Sequence, residues 1–257
     1  MFDAIKEKDN IVEFIRNYYR DNHATGCVLG VSGGKDSAVV AALMCEAIGP
    51  ENVVGLTLPC HSKDKDANGA KLVADKFGFE LINLDLTSTF DAFTSNEYFV
   101  NQPDEVYLKN KFENSDINLK PRLRMAACYY MTAFLSATRG GLWLTTSNSN
   151  ACETYVGYFT RGGDEIGDIY PLLNLTVQEV IAVGEVLGVP PEVLYRAPDD
   201  GLSGMTDEEK LGFSYADVHH ILRGDGEVSP ETFEKIQKKH NQNQFKFTKP
   251  NVKPVTV

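Results

Sequence analysis

Eight consecutive residues, Gly30-Val31-Ser32-Gly33-Gly34-Lys35-Asp36-Ser37, carry the clearest chemistry in the chain. Gly33 and Gly34 lack a Cβ, so the backbone can bend sharply there and come close to a ligand. Ser32 and Ser37 add hydroxyls, and Asp36 adds a carboxylate suited to a magnesium ion. The residues before the loop, Cys27-Val28-Leu29, are apolar and partly β-branched and read as a buried strand. Those after it, Ala38-Val39-Val40 with Leu43, Met44 and Ala47, have the spacing of an apolar helix face. Strand, glycine turn and helix in that order build an anion site. The free N–H groups of the helix start point at the ligand, and the helix dipole favours negative charge there.

The elements that must position this loop can be read along the chain. Residues 3–20 read as a helix with Ile5, Ile11, Val12, Phe14, Ile15 and Tyr18 on one face. A strand at 27–31 and a helix at 36–48 enclose the loop, and Gly49-Pro50 stops the helix. A second strand, 52–58, ends at Pro59; a helix over 66–77 ends at Gly78, and a third strand spans 79–84. A fourth strand spans 141–146. Strands alternating with helices at these spacings predict an α/β fold with a doubly wound, mainly parallel, Rossmann-like sheet flanked by helices. Ligands then sit at the carboxyl ends of the strands.

Other stretches are less regular. Thr87 to Phe99 is a candidate helix, and 102–114 shows no period and receives no assignment. Leu119 to Ala137 reads as a long helix with Pro121 in its first turn. It is so apolar that it is either deeply buried or part of a subunit contact. Residues 147–168 and 197–212 are polar and glycine-bearing, the character of functional loops. Helices are predicted at 176–187, 214–223 and 229–241, and the tail 244–257 has no period. His219 and His220 are neighbours on one helix, so they point to different faces and read as structural.

Composition bounds the function. The chain has 257 residues, 42% of them hydrophobic, enough for one large core. Its net charge of −11 argues against a nucleic-acid surface, which needs a basic face. A local basic pocket for a small phosphate ligand remains compatible with that charge. Five scattered cysteines form no CxxC pair and no zinc pattern, which suits a reducing cytoplasm. No signal peptide or membrane span is visible.

The loop has no GxxxxGK(S/T) string, so it is no ordinary P-loop, and no GxGxxG dinucleotide fingerprint. SGGKDS resembles instead the SGGxDS pyrophosphate loop of the ATP pyrophosphatase superfamily, whose fold is of the adenine nucleotide alpha hydrolase type. Four further blocks resemble one family of it, the ammonia-dependent NAD synthetases. These are Asn118-Leu119-Lys120-Pro121-Arg122-Leu123-Arg124-Met125, Glu153 through Arg161 (ETYVGYFTR), Gly162-Gly163-Asp164 through Asp168, and Thr206 through Tyr215 (TDEEKLGFSY).

That resemblance implies ATP- and magnesium-dependent amidation of deamido-NAD by ammonia through an acyl adenylate, with release of AMP and pyrophosphate. It implies that Gly30, Val31, Ser32, Gly33, Gly34, Lys35, Asp36 and Ser37 hold the ATP phosphates, with Asp36 and Ser37 catalytic. Leu58 would contact adenine through its backbone, and Thr146 would touch ATP. Asp36 and Glu153 would be magnesium ligands; Arg122, Arg161, Asp168 and Lys246 would hold deamido-NAD. It further implies a cytoplasmic homodimer, no nucleic-acid or membrane partner, and ammonia that a separate glutaminase could supply. The chain is expected to form a single domain over 1–257, with a core at about 20–190, a C-terminal helical extension at about 191–257 and no glutaminase region. Three positions depart from the family pattern. Val177 stands where the family places a phosphate-binding lysine, Pro198-Asp199-Asp200 where it has a hydroxyl, and Thr145 to Glu153 is about two residues longer. Ser203 or Thr206 could supply the missing hydroxyl, and Lys35 or Lys210 the missing charge. Two rival functions share the loop: a tRNA-modifying sulfurtransferase, disfavoured by the acidic charge and the lack of CxxC, and a nucleotide-binding regulator without turnover.

Overall fold

The computed structural model describes residues 2–61, 64–97, 105–196 and 206–248, with the backbone alone at 64–67 and 105–114. Among these residues, strands β1 (Ala24–Gly30), β2 (Val53–Thr57), β3 (Glu80–Asn83) and β4 (Leu142–Thr145) form one parallel sheet in the order β3-β2-β1-β4. The central strand β1 pairs Cys27 with Val53 on one side and with Leu144 on the other. It is apolar on both faces because both are covered, as parallel sheets require. Cys27, Leu29 and Val31 face one layer, and Val28 faces the other.

The helices are α1 (Ala4–Asp21), α2 (Lys35–Ile48), α3 (Asp64–Phe77), α4 (Thr87–Thr94), α5 (Glu105–Arg139), α6 (Ala151–Val156), α7 (Val177–Leu187), α8 (Pro191–Leu194), α9 (Asp207–Leu211), α10 (Tyr215–Arg223) and α11 (Pro230–Asn243). Helices α1, α2, α3, α7 and α8 pack on the Leu29 face around Ile15, Leu43, Met44 and Leu194. Helix α5 covers the Val28 face with Cys128, Met131 and Leu135 against Leu56 and Trp143. A third cluster joins α6, the start of α7, α10 and α11 through Cys152, Val177, Val218 and Ile236. The expected doubly wound, mainly parallel fold is the observed one.

Three local expectations need correction. Helix α5 begins at Glu105, so Pro121 lies inside it and not in its first turn. Residues 105–118 are polar without a repeat, so no apolar stripe announces that part of the helix. Pro121 has no N–H for the carbonyl of Ile117, which forfeits one ladder bond. Within 147–168, Asn150 caps α6: its side chain accepts from Cys152 and Glu153 N–H, and Glu153 bonds back to Asn150 N–H. In the second polar stretch Thr206 likewise caps α9 with Glu209; Pro198-Asp199-Asp200 and Ser203 lie outside the described residues. Beyond β4, residues 168–169 run alongside the strand end, with Asp168 N–H donating to Thr145 O at 2.7 Å and Ser147 N–H to Ile169 O at 2.9 Å.

Candidate active site

The glycine loop leaves β1 at its carboxyl end and enters α2. Val31 N–H still donates to Leu56 O at 2.8 Å, which pins the loop to the sheet. Gly33 then takes φ +75°, a conformation that disfavours a side chain. Gly34 is the extended N-cap of α2 and supplies no side-chain cap. The first N–H groups of that helix therefore have no side-chain capping acceptor, the arrangement that can bind an anion. The serines brace the turn: Ser37 Oγ donates to Gly34 O at 3.1 Å and accepts from Ser32 N–H at 3.2 Å. A second glycine packs on the loop from α3. A Cβ on Gly69 would lie 2.8 Å from Gly33 O, so only glycine permits this approach.

Beside the loop lies an acidic pocket with one embedded cation. Lys35 is 5% exposed, and its Nζ sits 3.0 Å from Asp36 Oδ2. Burial alone would depress its pKa, but Asp36, Glu153 and Asp207 surround it and hold it above the ordinary lysine value. Asp36 Oδ1 accepts from Asn150 Nδ2 at 3.2 Å. Asn150, fully buried, thus ties the carboxylate of α2 to the start of α6. Glu153, one turn along, is pushed up to about 8, first by burial and next by the Asp36 charge. Two carboxylates this close with a single lysine between them leave negative charge that a proton or a divalent cation must offset. The donor set is all oxygen, the preference of magnesium.

The other residues singled out in the sequence fall into two groups. Arg122, Arg161 and Lys246 meet around the turn after α6. Arg122 Nε donates to Arg161 O at 3.3 Å, and the Arg161 guanidinium donates to Phe245 O and Thr248 O. Lys246 Nζ donates to Gly157 O at 2.6 Å and Phe159 O at 2.7 Å. Asp168 stands apart and does not pair with Arg161. One of its oxygens accepts from Thr145 N–H and the other from Tyr129 OH, which fixes the end of β4. Leu58 O accepts from Arg124 Nε at 3.1 Å. Thr146 is buried at the end of β4, where Asn148 is the side chain that reaches the loop, donating to Gly30 O at 2.8 Å. Val177 is buried in the third cluster. At Gly33 a different cation is present: Arg196 donates from its guanidinium to Gly33 O at 3.4 Å.

Asn148, Asn150, Arg196, Asp207 and Tyr215 were not assigned roles from sequence. Asp207 opens α9, accepts from Tyr158 OH at 3.2 Å and belongs to the charge around Lys35. Tyr215 is buried, and among the described residues its hydroxyl has no hydrogen-bond partner. Burial first, then the nearby Glu153 and Asp207, drive its pKa far above the phenol range, so it is neutral. The capping patterns N-A-C-E and T-D-E-E were the available signals for Asn150 and Asp207. Nothing local marks Asn148, Arg196 or Tyr215, because their contacts are made across the fold.

Comparisons with known proteins bear on the family and the fold. The family model for NAD synthase matches residues 7–250. The NH3-dependent NAD+ synthetase of Carboxydothermus hydrogenoformans is 34% identical over 251 residues, covering 96% of each chain. Among solved structures, NMN synthetase from Francisella tularensis is 29% identical and superposes with a TM-score of 0.84 over all of both chains. An NH3-dependent NAD synthetase from Campylobacter jejuni, 24% identical over 98% of this chain and all of its own, has a TM-score of 0.75 and shares the fold.

Proposed function

This chain belongs to the NAD synthase family, and on that premise we propose that it is an ammonia-dependent synthetase converting deamido-NAD to NAD with ATP. The observation that carries the reading is the uncapped start of α2, set against the pocket of Lys35, Asp36 and Glu153. A carboxylate is a poor acyl donor until one oxygen becomes part of a leaving group. The nicotinate carboxylate attacks the α-phosphorus of ATP and pyrophosphate departs; ammonia then attacks the acyl carbon, loses a proton, and AMP departs with the original carboxylate oxygen.

In this reading the 30–37 loop holds the phosphates through backbone N–H groups and the Ser32 and Ser37 hydroxyls, with Leu58 and Thr146 lining the ATP site. Lys35 supplies a buried positive charge, and Arg196 adds a second one at Gly33 in the absence of a lysine at Val177. Asp36 and Glu153 would hold magnesium, which when bound neutralises phosphate charge. Arg122, Arg161, Asp168 and Lys246 form the dinucleotide side; all but Asp168 meet around one turn, which supports grouping them. What the chain contributes is in-line positioning and charge neutralisation more than covalent chemistry. The chain acts as one domain, with a core at about 20–190 and a helical extension from about 191, and as a homodimer. Ammonia comes from solution or from a separate glutaminase. A regulator without turnover and a sulfurtransferase are not favoured, since the family match spans nearly the whole described chain.

A second reading concerns only the carboxylate substrate. The NMN synthetase from Francisella tularensis superposes over its full length, and this favours testing nicotinate mononucleotide beside deamido-NAD. The experiment measures AMP and pyrophosphate formed from ATP and ammonium with each substrate. Release with deamido-NAD is the expected result; release with the mononucleotide alone establishes the second reading, and ATP binding with no release by either rejects both.

A further inference from the structure

Two neighbouring histidines near the end of α10 converge on one carboxylate. Adjacent residues on a continuing helix would point apart. Here α10 stops at Arg223, and Gly224 takes φ +67°. The chain doubles back and brings Asp225 to both rings. Its Oδ2 lies 3.2 Å from His219 Nε2 and its Oδ1 3.1 Å from His220 Nδ1. The two rings are edge to face, with centroids 5.5 Å apart. Gly226 lets the chain pass close over His220, since a Cβ there would fall 2.1 Å from Nδ1.

The spacing fits a metal ion. Tetrahedral zinc, with bonds of about 2.0–2.1 Å, holds its donor atoms roughly 3.3 Å apart. The two carboxylate-to-imidazole distances, one to each oxygen, are near that value, and a set with one donor atom from each residue lies within 4.8 Å. A second observation concerns orientation. His219 Nδ1 is 2.7 Å from Thr176 Oγ1, and Thr176 is fully buried at the N-cap of α7. The threonine hydroxyl can take either role in that bond; with an ion on Nε2, Nδ1–H would donate to Thr176 Oγ1, as the outer hydrogen bond of a metal-bound histidine does. The nearby Arg223 guanidinium is engaged by Glu179, at 2.7 Å from Nε, and by Asn174 O. His219 and His220 are partly exposed and Asp225 is exposed, so an ion can enter.

We infer that His219, His220 and Asp225 form a transition-metal site, distinct from the acidic pocket, for a divalent ion of the zinc, cobalt or nickel type with at least one position open to water. Two imidazoles and one carboxylate suit such ions better than magnesium, which prefers oxygen. The ion would join the end of α10 to the N-cap of α7. The preceding residue, Leu175, accepts from Ala151 N–H at 2.8 Å, at the start of the helix that carries Glu153. The site therefore clamps the joint on which α6 is mounted.

The test is a cobalt titration of the full chain with excess magnesium present to fill the acidic pocket. One equivalent of cobalt should give a visible ligand-field band that zinc abolishes, and zinc should raise the melting temperature. His220→Ala and Asp225→Asn remove ligands at two exposed or partly exposed positions, so failure of one to fold leaves the other. Each should weaken cobalt binding about tenfold or more and remove the thermal shift. Absence of the band in the unaltered chain, or a band of equal affinity in a folded variant, overturns the site.

Discussion

Asp36 is held from two sides, by Lys35 at 3.0 Å and by Asn150 at 3.2 Å. Asp36→Asn keeps the shape, and Lys35 retains Glu153 and Asp207 as neighbours, so the fold should survive. Turnover at saturating magnesium should fall about a hundredfold or more, the scale of losing one preorganised electrostatic group. Equal activity would remove Asp36 from the site. Arg196 is judged by a different parameter. Its guanidinium lies at Gly33 O, so Arg196→Ala should raise KM for ATP about tenfold, the equivalent of one charge-assisted hydrogen bond, with the melting temperature little changed. An unaltered KM would mean that Arg196 only braces the loop. Tyr215 makes the opposite kind of prediction. Its buried hydroxyl has no partner among the described residues, so Tyr215→Phe should leave unfolding free energy unchanged or raise it by up to about 1 kcal/mol. A loss beyond about 2 kcal/mol in denaturant titration would show that the hydroxyl is bonded.

At the scale of elements, the loop depends on what packs behind it. Gly69 lets α3 touch Gly33, and a Cβ would lie 2.8 Å from the Gly33 carbonyl. Gly69→Ala should favour the helix by about 0.5–1 kcal/mol yet push the loop and weaken ATP binding. Calorimetric titration with ATP checks this; unchanged affinity would show that the loop yields freely. The β1–loop–α2 unit was legible because each piece carries its own local signal: an apolar strand, two glycines, an apolar helix face. The start of α5 was not, because residues 105–118 repeat no apolar spacing. The convergence on Asp36 was half legible. Glu153 came through family resemblance, while Asn148, Arg196 and Tyr215 reach the site through contacts separated by many residues. Asp225 beside His219 and His220 was illegible for a related reason: a helical-wheel argument covers only the helix, and Gly224 ends it before Asp225 turns back.

For the molecule as a whole, α5 is 35 residues long and presents Tyr130 at 71% exposure and Phe134 at 50%, one helical turn apart. This pair is where the proposed homodimer would be joined. Light scattering at micromolar concentration should report a dimer, and Tyr130→Lys combined with Phe134→Lys should report a monomer; a monomeric parent chain would contradict the homodimer. The sheet gathers the loop, the acid pocket and Asn148 at the carboxyl ends of its strands, and that placement makes adenylation the central claim. It is tested most directly with deamido-NAD carrying oxygen-18 in its carboxylate, incubated with ATP, ammonium and the full chain, followed by mass spectrometry of the products. The account predicts one labelled oxygen in the phosphate of AMP, while unlabelled AMP, or ADP with orthophosphate, would contradict it.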